Sequence, residues 1–562
     1  MHRAQQLILL VWLLEGLVLI GLGGLFRRLF RAPARGAEDL LLSFWTGWAL
    51  LLCALEVWHI FARIDGRAVG FVAAAGAVGL VLGGIGPWRA CVHGALRNSP
   101  ALAAVGVSAF WLSDLSMGGP RFGDTGMYHI PMVRWIVEYP TVPGLGNLFV
   151  PLGHAQSYFL YLASLEVGPL AGRSSHLANG ILVLALLARG AFGALRLIRG
   201  QDARASADLF HVLLLPPVIE QALGLFLTSP SPDLVVTLLG IVLAGQLVPF
   251  LVRNVEPGAD RFHLGALTLL AGAAVTVKLS IAGLAITVPL VAASAWWRRE
   301  RPGRGGGVRT LGLLAALTLA PLLPWVVRNV IQTGCPFYPG QLGALPVEWR
   351  IRADAMERIQ GSMKIGLSDA LRDPRWFLRR LSSLGWAEPE VVLALRLAAV
   401  AAALCVIVRL LRWRPPAPLR LSALVLLPTA ASFLFCLGTT PMPRYFGATL
   451  WLLPAQLLLA GAGDLVSARR WARGALTACI AALVFSQLRA APELLRGLDN
   501  FEAAGRTPVR PVRLQSGLVV QVPVGGADTC WDAPLPCTPE PDPRLRLRRE
   551  GDLRAGFVID TP

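Results

Sequence analysis

Apolar runs of roughly 18 to 22 residues recur along most of the chain, separated by short arginine-rich segments. A helix of that length crosses about 30 Å of hydrocarbon, and a water-soluble surface has no way to hydrate so many such runs. Of 562 residues, 55% are hydrophobic and only 15% charged, which excludes a soluble domain of this size. The chain therefore reads as an all-α polytopic membrane protein with about fourteen transmembrane helices. The expected spans are 7–25, 40–61, 68–86, 101–118, 176–197, 208–227, 232–252, 263–279, 281–297, 309–328, 389–411, 420–438, 444–463 and 473–490.

The net charge of +18 does not point to nucleic acid, because the basic residues sit in short inter-span segments. Arg27, Arg28, Arg31 and Arg35 form one cluster; Arg298, Arg299, Arg301, Arg304 and Arg309 form a second; Arg409, Arg412, Arg414 and Arg420 a third; Arg469, Arg470 and Arg473 a fourth. All fall on one side of the expected topology, the side the positive-inside rule assigns to the cytoplasm. The first run lacks a small-residue cleavage site and is read as a retained span. Both termini then lie outside, in the periplasm of a bacterial inner membrane.

The expected organisation is N-terminal helices 1–118, a first large periplasmic loop 119–175, a transmembrane core 176–328, a second periplasmic loop 329–388, C-terminal helices 389–490 and a periplasmic tail 491–562. The short apolar run from Tyr158 to Leu165 predicts an interfacial helix with Tyr158 and Tyr161 at headgroup level. The loop 329–388, with Trp349, Trp376 and Trp386, predicts amphipathic helices lying on the membrane. The Pro-rich tail predicts a small loop-rich module with one strand near Leu518 to Val522. Cys530 and Cys537 suit a short disulfide in an oxidising compartment, with two free thiols as the alternative.

The stretch G-D-T-G-M-Y-H-I-P-M-V-R-W, Gly123 to Trp135, opens the first large loop. Glycines on both sides let the Asp124 backbone turn tightly, so its carboxylate can approach a ligand and act as a general base; a loop cap is the plainer reading. Tyr128, His129 and Arg134 are close in sequence. The 52 basic residues include only two lysines, and one of them, Lys278, falls at the outer end of a span. It suits a phosphate ligand or a snorkelling anchor equally. Arg328 and Asn329 end a later span in the same plane, and Arg444 and Tyr445 open another. Lys278, Arg328 and Arg444 are thus expected to converge on Asp124 as an anion site. Asp233 caps a span at that level and is a further candidate. Glu15, Glu56 and Glu220 lie inside apolar runs, where they line a path or pair internally. No nucleotide-loop, zincin or dinucleotide motif is present.

The acidic first loop followed by Tyr and His, the lysine ending a middle span, P-W-V-V-R-N-x-x-x-T-G-x-P-x-Y-P and the late R-Y pair together resemble the polytopic glycosyltransferases of the GT-C superfamily. The chain is also similar to a group of bacterial membrane proteins sharing D-T-G-M-Y-H-I-P-M-V-R-W and C-W-D-A-P-L-P-C-T-P, here Cys530 to Pro539. The resemblance implies transfer of a sugar from a polyprenyl-phosphate donor to a glycan, lipid or protein acceptor. It gives Asp124 the role of base, sets Lys278, Arg328 and Arg444 on the lipid phosphate, and lets Tyr128 and His129 orient substrate. About three spans precede the acidic loop where the superfamily commonly has one, and that loop shows no obvious D-x-D or E-x-D pair, so a divalent metal is not supported. Competing expectations are a flippase for lipid-linked glycans, an O-antigen polymerase or ligase, and a non-catalytic assembly factor.

Overall fold

The computed structural model describes residues 2–560 except 85, 202–204, 253–259, 364–395, 398–399, 402, 404–418, 440–441, 469 and 491–494. Three helices open the chain: α1 (Arg3–Leu29), α2 (Ala37–Phe61) and α3 (Gly66–Gly83). Lipid is as apolar as leucine, so helices in a membrane associate through close backbone contact rather than hydrophobic exclusion. Glycines supply that contact here. A Cβ added at Gly47 would lie 1.8 Å from the Leu19 carbonyl oxygen, and one at Gly79 would lie 1.9 Å from that of Gly21.

A short α4 (Gly86–Arg97) and then α5 (Ser99–Leu115) lead to the first large loop. That loop folds as a π-helical turn (Thr125–His129), α6 (Ile130–Glu138), α7 (Leu145–Leu148), a 3-10 turn (Val150–Gly153) and α8 (Ser157–Ser164). The core continues with α9 (Ser174–Arg199), α10 (Ala205–Leu213), α11 (Leu215–Leu223), α12 (Pro232–Leu251), α13 (Asp260–Val277), α14 (Ala282–Glu300) and α15 (Arg304–Thr333). After α16 (Ala353–Met363) come α17 (Leu419–Thr439), the four-residue α18 (Pro443–Phe446), α19 (Ala448–Ala468) and α20 (Arg470–Ala490). Seven of the described helices are by themselves long and apolar enough to span, and several shorter apolar helices accompany them. The protein is an integral multi-pass membrane protein.

Successive helices reverse direction, which sorts their ends into two sets. At one end Arg27 bonds Ser43 at 2.7 Å and Asp39 at 2.9 Å and lies over the Phe262 ring. The same end carries Arg196 between Glu38 at 2.5 Å and Asp208 at 2.6 Å, tying α2, α9 and α10 together. The opposite end carries the first large loop, the α13–α14 junction, α18 and the tail.

Three sequence expectations change. The run 208–227 is two short helices, because Pro216 and Pro217 have no N–H to give a continuing helix and instead occupy the first turn of α11. The segment 87–100, read as a loop, contains most of α4. The helix at 158–165 is not interfacial: Tyr158 and Tyr161 are fully buried, with hydroxyls donating to Asn179 Oδ1 at 2.6 Å and to Glu15. Both phenols find acceptors inside the bundle, so neither needs the headgroup layer. The span 389–411 falls almost wholly outside the described residues, as do Trp376 and Trp386.

The tail is small and loop-rich. Strands β1 (Val509–Arg513) and β2 (Val519–Pro523) pair antiparallel, with Val512 opposite Val520; β3 (Leu545–Leu547) pairs antiparallel with β4 (Phe557–Ile559). Cys530 and Cys537 are joined, with their Cα atoms 6.1 Å apart.

Candidate functional site

Asp124 stands at the entrance to the π-helical turn. Thr125 fixes that turn through its hydroxyl, 3.1 Å from the hydroxyl of Ser229 in the loop before α12. The next residue that matters comes from far along the chain. Pro443 starts α18, and Arg444 Nη1 reaches Asp124 Oδ2 at 3.2 Å while Nη2 donates to the Tyr445 hydroxyl at 3.2 Å.

A second ion pair lies beside the first. Ser231 caps α12 and donates to Asp233 Oδ2 at 2.9 Å, which aims the other carboxylate oxygen at Lys278. Lys278 follows the last residue of α13 in extended backbone, at the apex of the α13–α14 hairpin. Its ammonium is paired with Asp233 and sits 4.3 Å from the centre of the Tyr445 ring. Arg444 interacts electrostatically with both Asp124 and Asp233. The four charges thus alternate in one cluster spanning the start of the first loop, α12, the α13 end and α18.

An aromatic wall backs the cluster. The Tyr128 ring is 4.3 Å from His129 and 6.0 Å from His154, whose ring is 4.9 Å from Tyr338. His129 is buried, and among the described residues neither ring nitrogen has a hydrogen-bond partner. Burial above all pushes the His129 ring down to about 3, and the cations Lys278 and Arg444 add to this against Asp233. Burial and Lys278 bring His154 to about 4. Both imidazoles are neutral at pH 7, so each offers one donor and one acceptor. Burial and the neighbouring Asp124 carboxylate raise the Tyr128 phenol well above its ordinary value, so it remains a donor.

The chemistry differs between the two carboxylates. The Asp124 side chain is 28% exposed and that of Asp233 only 8%. Asp124 is thus the more accessible of the two carboxylates, and Arg444 covers one of its oxygens. Asp233 holds Lys278 in place.

The candidate residues therefore divide. Asp124, Tyr128, His129, Asp233, Lys278, Arg444 and Tyr445 come together. Arg328 does not join them. Its fully buried guanidinium lies 3.9 Å from Glu56, itself fully buried, and donates to the Ala155 carbonyl at 3.2 Å. The acid that faces this buried cation is therefore Glu56, inside the bundle, and not Asp124. Asn329 donates back to the Trp325 carbonyl of its own helix at 3.1 Å. Arg134 is also diverted: it donates to the Asp532 carbonyl at 2.8 Å and to that of Ala533, and bonds Glu138 at 3.0 Å. It fastens the tail to α6.

Sequence reasoning missed His154, Ser229, Ser231 and Tyr338. The S-P-S-P-D run carried a legible helix-cap signal for Ser231; His154, in P-L-G-H, carried none. Among the described residues no group of three or more His, Cys, Asp or Glu side chains is placed to hold a metal ion.

No curated protein and no solved structure matches the chain. One family model does, described as a domain of unknown function (DUF8201), and it covers residues 6–451. That range includes the whole ion cluster and stops short of the disulfide-bearing tail. The chain belongs to the DUF8201 family.

Proposed function

We propose that the protein is a GT-C-like glycosyltransferase that moves a sugar from a polyprenyl-phosphate donor to an acceptor hydroxyl outside the cytoplasm. The arginine-rich helix ends face the cytoplasm in this reading, and the ion cluster faces the periplasm. One observation carries the proposal: Asp124, an accessible carboxylate, shares a cluster with Arg444 and Lys278 at the membrane edge.

Asp124 takes the acceptor proton as the acceptor oxygen attacks the anomeric carbon. The bond from that carbon to the phosphate oxygen breaks, and the electron pair leaves on the polyprenyl phosphate. Arg444 and Lys278 offset the charge that grows there, which is the largest service a fixed cation renders in such a step. Tyr128, which remains a donor, holds a sugar hydroxyl, and the neutral His129 ring packs beside it to orient that phenol. Arg328, paired with Glu56, takes no part.

A transport route through the bundle is less favoured, because intramembrane acids are engaged internally: Tyr161 donates to Glu15, and Arg328 faces Glu56. The test is sugar transfer in membranes supplied with labelled polyprenyl-phosphate sugars. Asp124→Asn is expected to lower turnover at least about 100-fold with membrane insertion unchanged. Normal turnover in that variant removes the base and the reading with it.

A further inference from the structure

The arginine-rich end of the first three helices encloses a cavity of about 430 Å³. Its inner surface is apolar, with Ile20 from α1 and Leu80 from α3, while Arg28, Arg31 and Trp88 stand at its rim. Arg27 closes the back and is committed to Ser43 and Asp39. Arg28 and Arg31 are different. Both are exposed, and among the described residues Arg28 donates only to the Leu82 carbonyl, at 2.6 Å, and no carboxylate forms an ion pair with either. Two uncompensated guanidinium groups over an apolar floor match a headgroup joined to a hydrocarbon chain.

We infer that this cavity seats an anionic phospholipid. Its phosphodiester lies between Arg28 and Arg31, and one acyl chain follows the groove between α1 and α3. The lips of the cavity decide for a lipid over a soluble phosphate, because Leu29 and Val81 beside it are about 80% exposed and belong in hydrocarbon. Room for the chain comes from the end of α3, where a Cβ added at Gly83 or Gly84 would meet nothing within 4 Å. Trp88 sits at the level where indoles anchor to the interface. The inference is independent of the sugar-transfer reading.

Native mass spectrometry on the purified full chain tests it, with phosphatidylglycerol, phosphatidylcholine of the same acyl chains and inorganic phosphate as probes. Phosphatidylglycerol is expected to give at least about ten times more adduct than phosphatidylcholine at equal concentration, as two charge-assisted contacts imply. Replacing both arginines, R28Q with R31Q, is expected to bring the two lipids level. Gly83→Leu, which fills the floor and spares the arginines, is expected to weaken both. Equal adducts in the wild type, an unchanged preference in the double variant, or undiminished adducts of both lipids in Gly83→Leu overturn the proposal. So does displacement of phosphatidylglycerol by equimolar inorganic phosphate, which makes the site one for free anions.

Discussion

The indole of Trp531 lies directly against Gly126, so close that a Cβ added to the glycine would fall 2.3 Å from Trp531 Cε2. The Trp531 and Cys530 backbone N–H groups both donate to the Gly126 carbonyl, at 2.8 and 3.0 Å. Gly126 belongs to the π-helical turn that begins next to Asp124. Two motifs about 400 residues apart, one carrying the candidate base and one carrying the disulfide, are therefore a single packed unit, with Arg134 as its second fastening.

This contact makes Gly126→Ala a sharp test. The added methyl has no space, so the indole must leave, and loss of the packing is expected to cost the tail about 2 kcal/mol. Hydrogen exchange across residues 525–540 should accelerate at least about tenfold in consequence. Unchanged protection would mean that the tail is held by other contacts. Trp531→Ala should produce the same opening from the other side.

The bridge between Cys530 and Cys537 is expected to hold the Trp531 loop in shape. Closing a loop of this sequence separation, seven residues, stabilises the tail by about 2 kcal/mol on the chain-entropy account. Non-reduced peptide mapping should find the two cysteines linked in protein recovered from an oxidising compartment. Recovery of both as alkylated thiols would refute the bridge.

The division between what the sequence disclosed and what it withheld follows from the range of the interactions. Apolar runs and arginine clusters are local signals, so the helices and their two sets of ends were readable. The break at Pro216 and Pro217 escaped because hydropathy counts apolar atoms and ignores backbone hydrogen bonds. Asp124, Lys278 and Arg444 stood out as charges at the outer ends of runs, but their pairing scheme depends on helix packing. Arg328 carried the same local signature as Lys278, and only Glu56, more than 250 residues earlier and facing it in space, distinguishes them. The tail motif stood out by its cysteines and gave no hint that it packs on the first loop.

The glycine seam between α1 and α2 should be intolerant of any side chain. Gly47→Leu places branched carbon where the Leu19 carbonyl lies 1.8 Å from the ideal Cβ position, so the helices must part. Gly70→Leu, at a position with nothing within 4 Å, is the matched control. The expected result is a drop of at least about fivefold in monodisperse protein after detergent extraction for Gly47→Leu, a destabilisation of about 1 kcal/mol or more, with Gly70→Leu near wild type. Equal recovery would show that the seam can slide.

Buried neutral imidazoles give the fold a pH dependence of known sign. His129 at about 3 and His154 at about 4 bind protons less readily folded than unfolded, where histidine titrates near 6.5. Between those values the unfolded chain holds more protons, so stability is full above about pH 6.5 and declines as pH falls towards 4. The unfolding temperature in detergent should fall by several degrees from pH 7.5 to pH 5, and His154→Gln should flatten the slope. A flat profile in the wild type would place water or a counter-charge at these rings.

The two ion pairs of the cluster differ in burial, and their energetics should differ accordingly. Asp124 and Arg444 are a quarter exposed, so the solvent screens them and their pairing is expected to contribute about 1 kcal/mol or less. Asp233 and Lys278 are about nine-tenths buried, and removing one partner strands the other. Lys278→Met or Asp233→Leu alone should therefore cost about 3–5 kcal/mol, while the double variant, with neither charge left to desolvate, should recover most of it. Thermal unfolding of the three variants measures the coupling directly, and additive losses would mean that the pair does not hold the start of α12 to the end of α13. The double variant also separates structure from chemistry. If Lys278 serves the leaving phosphate, stability returns in that protein and sugar transfer does not; if both return, the ammonium is only a strut for Asp233 and the charge clamp rests on Arg444 alone.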